Sequence, residues 1–362
     1  MKCIALLLLC APACFLKAED AKALPLEISP QDEKIVYIGR FDKSDAAGPR
    51  ANWPGSGMRV KFKGTAINAK LSSTNCDFVQ VVVDGEAKSV LEVAKQPTVY
   101  TLASGLADKE HVIELFKRTE TFFGVLQFCG LQLEAGGKLL PVEKTTRRIE
   151  FIGDSITCGY GNEGASQNDK FTAKTENNYM AYGSIAAREL KADSVHIAVS
   201  GRKLVSKKED DIAMHVYWQR TIALDPNSKW DTSAWVPDVV LIHLGTNDFG
   251  GGNPDEKQWT DAYREFIGTL RKAYPKAHIF VAIGSMMSDN WPKDLQQLST
   301  IRKYCTGVVE SLNKSGDKNV HFVEFAPQEM VNGIGSDWHP SVKTHQLMAA
   351  TLVAAVKKEL KW

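Results

Sequence analysis

The chain has 362 residues, room for two domains of ordinary size. Hydrophobic residues make up 44% and charged ones 24%, the balance of folded globular proteins, which excludes extensive disorder and collagen-like or fibrous repeats. Lys+Arg number 44 against Asp+Glu 43, a formal charge of +1, which argues against a surface built mainly to hold nucleic acid or anionic lipid.

Met1-Lys2 is a short positive segment, and Ile4–Cys10 is an apolar stretch of the length an export leader carries. Small residues follow and polar chain begins at Glu19-Asp20, which places cleavage between Ala18 and Ala21 and a leader over 1–21. The expected location is therefore periplasmic or extracellular. Ala11-Pro12-Ala13-Cys14 loosely resembles a lipobox and offers a second reading, lipid anchoring through Cys14, although Pro12 fits that pattern poorly. The longest apolar run, Ile4 to Leu16, is shorter than the roughly 18 residues of a membrane span, so none is expected.

Three of the seven cysteines fall in this leader, leaving Cys76, Cys129, Cys158 and Cys305. In an exported chain one disulfide is open to them, with Cys76–Cys129 the natural pair because both lie in the same half; four buried thiols is the equal alternative. Neither the cysteines nor the histidines have the spacing of a metal site.

From Ile35 to about Glu134 short apolar runs alternate with period two, as in Met58-Arg-Val-Lys-Phe and Phe78-Val-Gln-Val-Val-Val, with Asp84-Gly85 as a hairpin signal. This predicts an all-β jelly-roll sandwich of roughly eight strands over 25–140. A polar link, Lys138–Arg147, precedes a change of period and a second domain over 147–362. Apolar strands are expected at Ile149–Gly153, Val195–Val199, Val239–Leu244, Ile279–Ile283 and Val320–Phe325. Helices are expected at Tyr179–Leu190, Glu256–Tyr274, Asp294–Lys314 and His345–Leu360. Strand–helix alternation with nearly continuous apolar strands means a parallel sheet covered on both faces, whose site lies at the carboxyl strand ends.

Four polar clusters follow those strands: Gly153-Asp154-Ser155, Ser200-Gly201-Arg202, Gly245-Thr246-Asn247-Asp248 and Asp337-Trp338-His339-Pro340-Ser341. Together they offer a hydroxyl nucleophile, oxyanion donors and a general base. In this order they resemble the SGNH (GDSL-like) hydrolases, with Ser155, Gly201, Asn247 and His339 at the four name positions. The sandwich, GDSITCGYGN at 153–162, ENNYMAYGSIAAREL at 176–190 and DWHPS at 337–341 are more specifically similar to carbohydrate esterase family 2.

The resemblance implies a three-layer, flavodoxin-like α/β domain and an exported esterase that removes acetyl groups from plant polysaccharides of the acetylxylan or acetylglucomannan type. It makes Ser155 the nucleophile and His339 its base, with the Ser155 and Gly201 N–H groups and the Asn247 amide as oxyanion donors. Many relatives carry an Asp three residues before the histidine, where Ser336 stands here. The expected orienting acid is Asp337, with a backbone carbonyl as the alternative. Gly201 is expected to admit substrate close to the backbone, and Asp154 and Asp248 to bond loop N–H groups. Trp291 and Trp338 are candidate sugar platforms, since sugar rings present apolar faces to aromatics. No metal or organic cofactor is called for, and the oligomeric state is left open. Two other readings stand beside this one: a carbohydrate-binding protein on an esterase scaffold, and a general short-chain lipase or thioesterase.

Overall fold

Two segments with different hydrophobic periods fold into two different architectures. The computed structural model describes residues 25–206 and 212–362; the leader assigned to 1–21 and Cys14 lie outside the described residues. The N-terminal part is a β-sandwich of two antiparallel sheets with five and six strands. Asp77–Val83 and Glu86–Val93 form the hairpin that Asp84-Gly85 signals, with Val83 opposite Glu86. Both turn residues have positive φ, 51° and 83°, as a two-residue turn matched to strand twist requires. Inward residues of the two sheets, among them Val60, Phe62, Leu71, Val79, Val81, Ile113 and Phe128, make the sandwich core. The strand number exceeds the expected eight because short pieces such as Val36–Ile38, Arg50–Ala51 and Lys138–Leu140 also pair.

The second part is a five-stranded parallel sheet. In chain order its strands are Arg148–Gly153, Asp193–Ala198, Val239–His243, His278–Gly284 and Val320–Phe325; across the sheet they run second, first, third, fourth, fifth. Apolar clusters on its two faces involve Tyr182–Glu189 and Val342–Leu360 on one side, and Glu256–Ala273 and Gln297–Lys314 on the other. The chain reverses its direction across the sheet between the first and third strands. In open sheets that switch point forms a crevice beyond the carboxyl ends.

The two parts are knitted together by buried contacts. Trp53, from the sandwich, packs in the core of the parallel-sheet domain and donates its indole N–H to the Thr221 carbonyl at 2.9 Å. Arg40 is fully buried and pairs with Glu150 on the first parallel strand at 3.1 Å.

No disulfide forms among the described cysteines. Cys76 and Cys129 are half-buried free thiols, so the Cys76–Cys129 pairing is corrected, and only Cys158 and Cys305 are buried. Cys129 lies on a strand of one sheet, whereas Cys76 immediately precedes a strand of the other. None of the helices among the described residues is long and apolar enough to cross a membrane.

Candidate active site

The first parallel strand ends at Gly153, and Asp154 caps the short helix Ser155–Cys158 by accepting the Ile156 N–H at 3.0 Å. Ser155 is thereby held at the first helical position, where a backbone N–H has no intrahelical acceptor. Its Oγ lies 2.9 Å from Nε2 of His339, which reaches in from the loop before the final helix. On the far side of the imidazole, Nδ1 faces the backbone carbonyl of Asp337 at 3.1 Å. A carbonyl only accepts, so Nδ1 donates, and the neutral ring keeps its Nε2 lone pair toward the serine hydroxyl. Burial holds His339 below its ordinary pKa of 6.5, partly opposed by the Asp337 carbonyl.

The Asp337 carboxylate takes no part in this contact, which corrects the expectation that it orients His339. Asp337 and Trp338 both adopt left-handed backbone, φ 48° and 65°, and this turn aims the carbonyl at the ring and the carboxylate away. The carboxylate instead accepts the Phe171 N–H at 3.2 Å and the Tyr160 hydroxyl at 3.3 Å, with Lys170 3.5 Å off. The Phe171 bond foremost holds it below its usual range. An aromatic residue avoids left-handed backbone unless its surroundings impose it. Here Gln328 donates its amide to the Trp338 carbonyl at 2.7 Å.

Two aromatic residues that the sequence reading left unassigned support the histidine. The Tyr160 ring lies 4.1 Å from the imidazole and stacks on Phe171 at 3.6 Å. Gly161 follows with φ 56°, and a Cβ there would stand 2.6 Å from that of Ser336, at the base of the histidine turn. The signal was present as the Tyr-Gly pair closing GDSITCGYGN.

The other two strand ends complete the cluster. Gly201 sits in an exposed turn with φ 76°, and an added Cβ would meet no atom of the described residues within 4 Å. Backbone conformation is therefore what the structure shows glycine supplying there, in place of relief from a close neighbour. The Asn247 amide nitrogen donates to Asp154 at 3.2 Å and to the Arg202 carbonyl at 3.1 Å. Asp248 accepts the Leu204 and Val205 N–H groups, each at 3.0 Å, and so pins the loop that carries Gly201. Burial pushes Asp154 to about 7 and Asp248 to about 6.

Beside His339 opens a groove of about 560 Å³ between the loops after the fourth and fifth strands. Trp291 and Trp338 line it and are 76% and 56% exposed. Trp53, Trp218 and Trp259 are buried, while Trp230 and Trp235 are half-buried. Ser285 Oγ and Gln328 Oε1, which have no hydrogen-bond partner among the described residues, belong to residues of the same groove.

A serine–histidine pair at the switch point of a parallel sheet, flanked by a glycine turn and an asparagine, defines a GDSL-like hydrolase, and residues 151–347 match the GDSL-like Lipase/Acylhydrolase family. Residues 37–142 match the family described as Carbohydrate esterase 2 N-terminal. The chain is 41% identical over 346 residues to the cellulase/esterase CelE of Acetivibrio thermocellus, covering 95% of itself and about two fifths (41%) of that longer relative. It is 26% identical over 341 residues to an acetylxylan esterase / glucomannan deacetylase of Cellvibrio japonicus, covering 92% and 91%. Among solved structures, a family two carbohydrate esterase from Clostridium thermocellum in complex with cellohexaose superposes with TM-score 0.85 at 42% identity, covering 91% of this chain and 99% of that one. The chain belongs to carbohydrate esterase family 2 and is a carboxylic ester hydrolase.

Proposed function

We propose that the chain is an exported deacetylase that removes O-acetyl groups from hemicellulose of the acetylxylan or acetylglucomannan type through an acetyl-serine intermediate. The observation that carries this reading is the 2.9 Å contact between Ser155 Oγ and His339 Nε2, with Trp338, the residue before His339, lining the groove. Support for the substrate class comes from the Cellvibrio japonicus relative named for that activity and from the esterase solved with cellohexaose. Export rests on the charge and apolar pattern of residues 1–21.

His339 Nε2 takes the Ser155 proton as Oγ attacks the acetyl carbonyl, and the carbonyl electron pair moves onto oxygen. The Ser155 and Gly201 N–H groups receive that oxyanion. Asn247 joins them by turning one amide hydrogen from Asp154 or the Arg202 carbonyl, its present acceptors. Collapse expels the sugar alkoxide, which takes the proton from His339. Water, deprotonated by His339 in turn, attacks the acetyl-serine, and loss of acetate returns the proton to Ser155.

Acetate release from acetylated xylan and glucomannan, beside 4-nitrophenyl acetate and butyrate, tests the reading. Turnover of polysaccharide with a steep loss at butyrate is expected. Butyrate turnover without polysaccharide turnover moves the assignment to a general short-chain esterase, and binding without any turnover moves it to a carbohydrate-binding protein.

Because a carbonyl holds the imidazole, Asp337→Asn is expected to lower kcat by less than about tenfold, against the roughly 10⁴-fold fall seen where a carboxylate fixes the tautomer. Steady-state kinetics on 4-nitrophenyl acetate decides between the two. A loss near 10³ or more restores the side chain to the mechanism.

A further inference from the structure

Behind the site, the sandwich inserts a buried acidic side chain that the mechanism above does not use. Glu120 follows the strand Lys109–Lys117 and is 1% exposed. Its Oε2 accepts the Ser200 N–H at 2.8 Å, and its Oε1 accepts the Ser200 hydroxyl. The Cys158 thiol donates to Oε2 at 3.7 Å. One carboxylate thus grips the residue before Gly201 and the last residue of the helix that Ser155 begins. Those are the carriers of the two backbone oxyanion donors.

The surroundings keep this carboxylate in place. The Glu120 backbone N–H donates to Glu176 Oε2 at 2.8 Å, and its carbonyl accepts from Lys117 Nζ at 3.0 Å. Lys117 is itself paired with buried Asp77 at 2.7 Å. Glu176 Oε1 has no partner among the described residues, and burial together with the facing Glu120 pushes that carboxyl well above its usual range. Burial pushes the Glu120 carboxyl up as well, opposed foremost by its hydrogen bonds from Ser200, and Glu120 is the better hydrogen-bonded of the two.

We propose that Glu120 is a positioning residue for ester hydrolysis: the sandwich completes the active site by fixing the Ser200-Gly201 turn against the Ser155 helix. The proposal rests on the reading of Ser155 and Gly201 given under the proposed function. Misplaced oxyanion donors act on the transition state more than on bound substrate. The expected signature is therefore a loss in kcat with KM nearly constant.

The test measures kcat and KM on 4-nitrophenyl acetate, per active site titrated to completion with a serine-reactive fluorophosphonate. Glu120→Ala is expected to lower kcat about 10²-fold with KM within about twofold, and Ser200→Ala, which removes only the hydroxyl bond, about tenfold. Glu120→Gln keeps an acceptor for the Ser200 N–H and a group for its hydroxyl, and is expected to recover most of the rate. A kcat per titrated site equal to wild type in Glu120→Ala overturns the proposal, because a purely structural side chain lowers the number of folded sites and not their turnover. If Glu120→Ala does not fold, Ser200→Ala carries the decision, and unchanged kcat there overturns it. Wild-type turnover that survives in Ser155→Ala overturns the reading of the site instead. Turnover abolished in Ser155→Ala but unaltered in both Glu120→Ala and Ser200→Ala overturns this proposal alone.

Discussion

Replacing Ser155 by alanine is expected to lower kcat on acetyl esters by at least about 10⁴-fold while the protein stays folded and still binds polysaccharide. The hydroxyl is small and among the described residues its hydrogen bond runs to His339, so its removal leaves neither a large cavity nor a buried charge. His339→Ala is expected to cost a similar amount. The double variant should be little worse than either single one, because nucleophile and base act as a unit. The pH dependence follows from the same contact. The neutral imidazole is the base, so protonation as pH falls removes it. Burial lowers the pKa of His339, and the active plateau should therefore extend below pH 6.5 before kcat/KM drops by about tenfold per unit. A pH–rate profile of the wild type reads the midpoint. A midpoint at or above about 7 would mean that a group other than His339 controls the reaction.

How much of this site the sequence revealed depended on what kind of contact held each part. Ser155, Gly201 and Asn247 were visible because each stands in a polar cluster just after an apolar strand, and His339 because its cluster lies just before the final helix; a parallel sheet brings such ends to one edge. The helices were visible by period, and their misplaced starts have local causes. The final helix begins at Val342 because the Ser341 hydroxyl caps it, accepting the Thr344 N–H at 3.3 Å. The helix expected from Asp294 begins at Gln297, since Asp294 and Gln296 both have positive φ.

Asp337 was misread for a different reason. A spacing of two residues from the histidine says nothing of backbone handedness, and two successive left-handed residues exchange carbonyl for carboxylate. Phe171, Gln328 and Glu120 could not be assigned from spacing at all. Phe171 and Gln328 come from loops, and Glu120 acts on Ser200, 80 residues away. A period-two strand pattern describes the sandwich core and is silent about the loop it sends across the interface.

The largest stability effect is expected at that interface, from Arg40→Met. The Arg40 guanidinium is fully buried, bonded to the Trp218 and Arg220 carbonyls and paired with Glu150 at 3.1 Å, with the Trp230 ring 5.1 Å away. Glu150 also accepts the Trp218 indole N–H at 2.7 Å and the Tyr274 hydroxyl at 3.4 Å, so two neutral donors remain when the cation is gone. They do not neutralise a buried charge. Breaking one partner of such a pair costs about 3–5 kcal/mol, more than an intact pair contributes, because the carboxylate is left uncompensated. Urea unfolding followed by tryptophan fluorescence measures it, with the midpoint falling accordingly. Arg40→Met combined with Glu150→Gln should regain a substantial part of the loss, since the amide keeps both hydrogen bonds without the charge. A single variant within about 1 kcal/mol of wild type would show that solvent reaches Glu150. Arg40 belongs to the sandwich and Glu150 to the first parallel strand, whose end carries Ser155. The wild type is accordingly expected to unfold in one transition, and a destabilised interface to loosen the catalytic strand along with the sandwich.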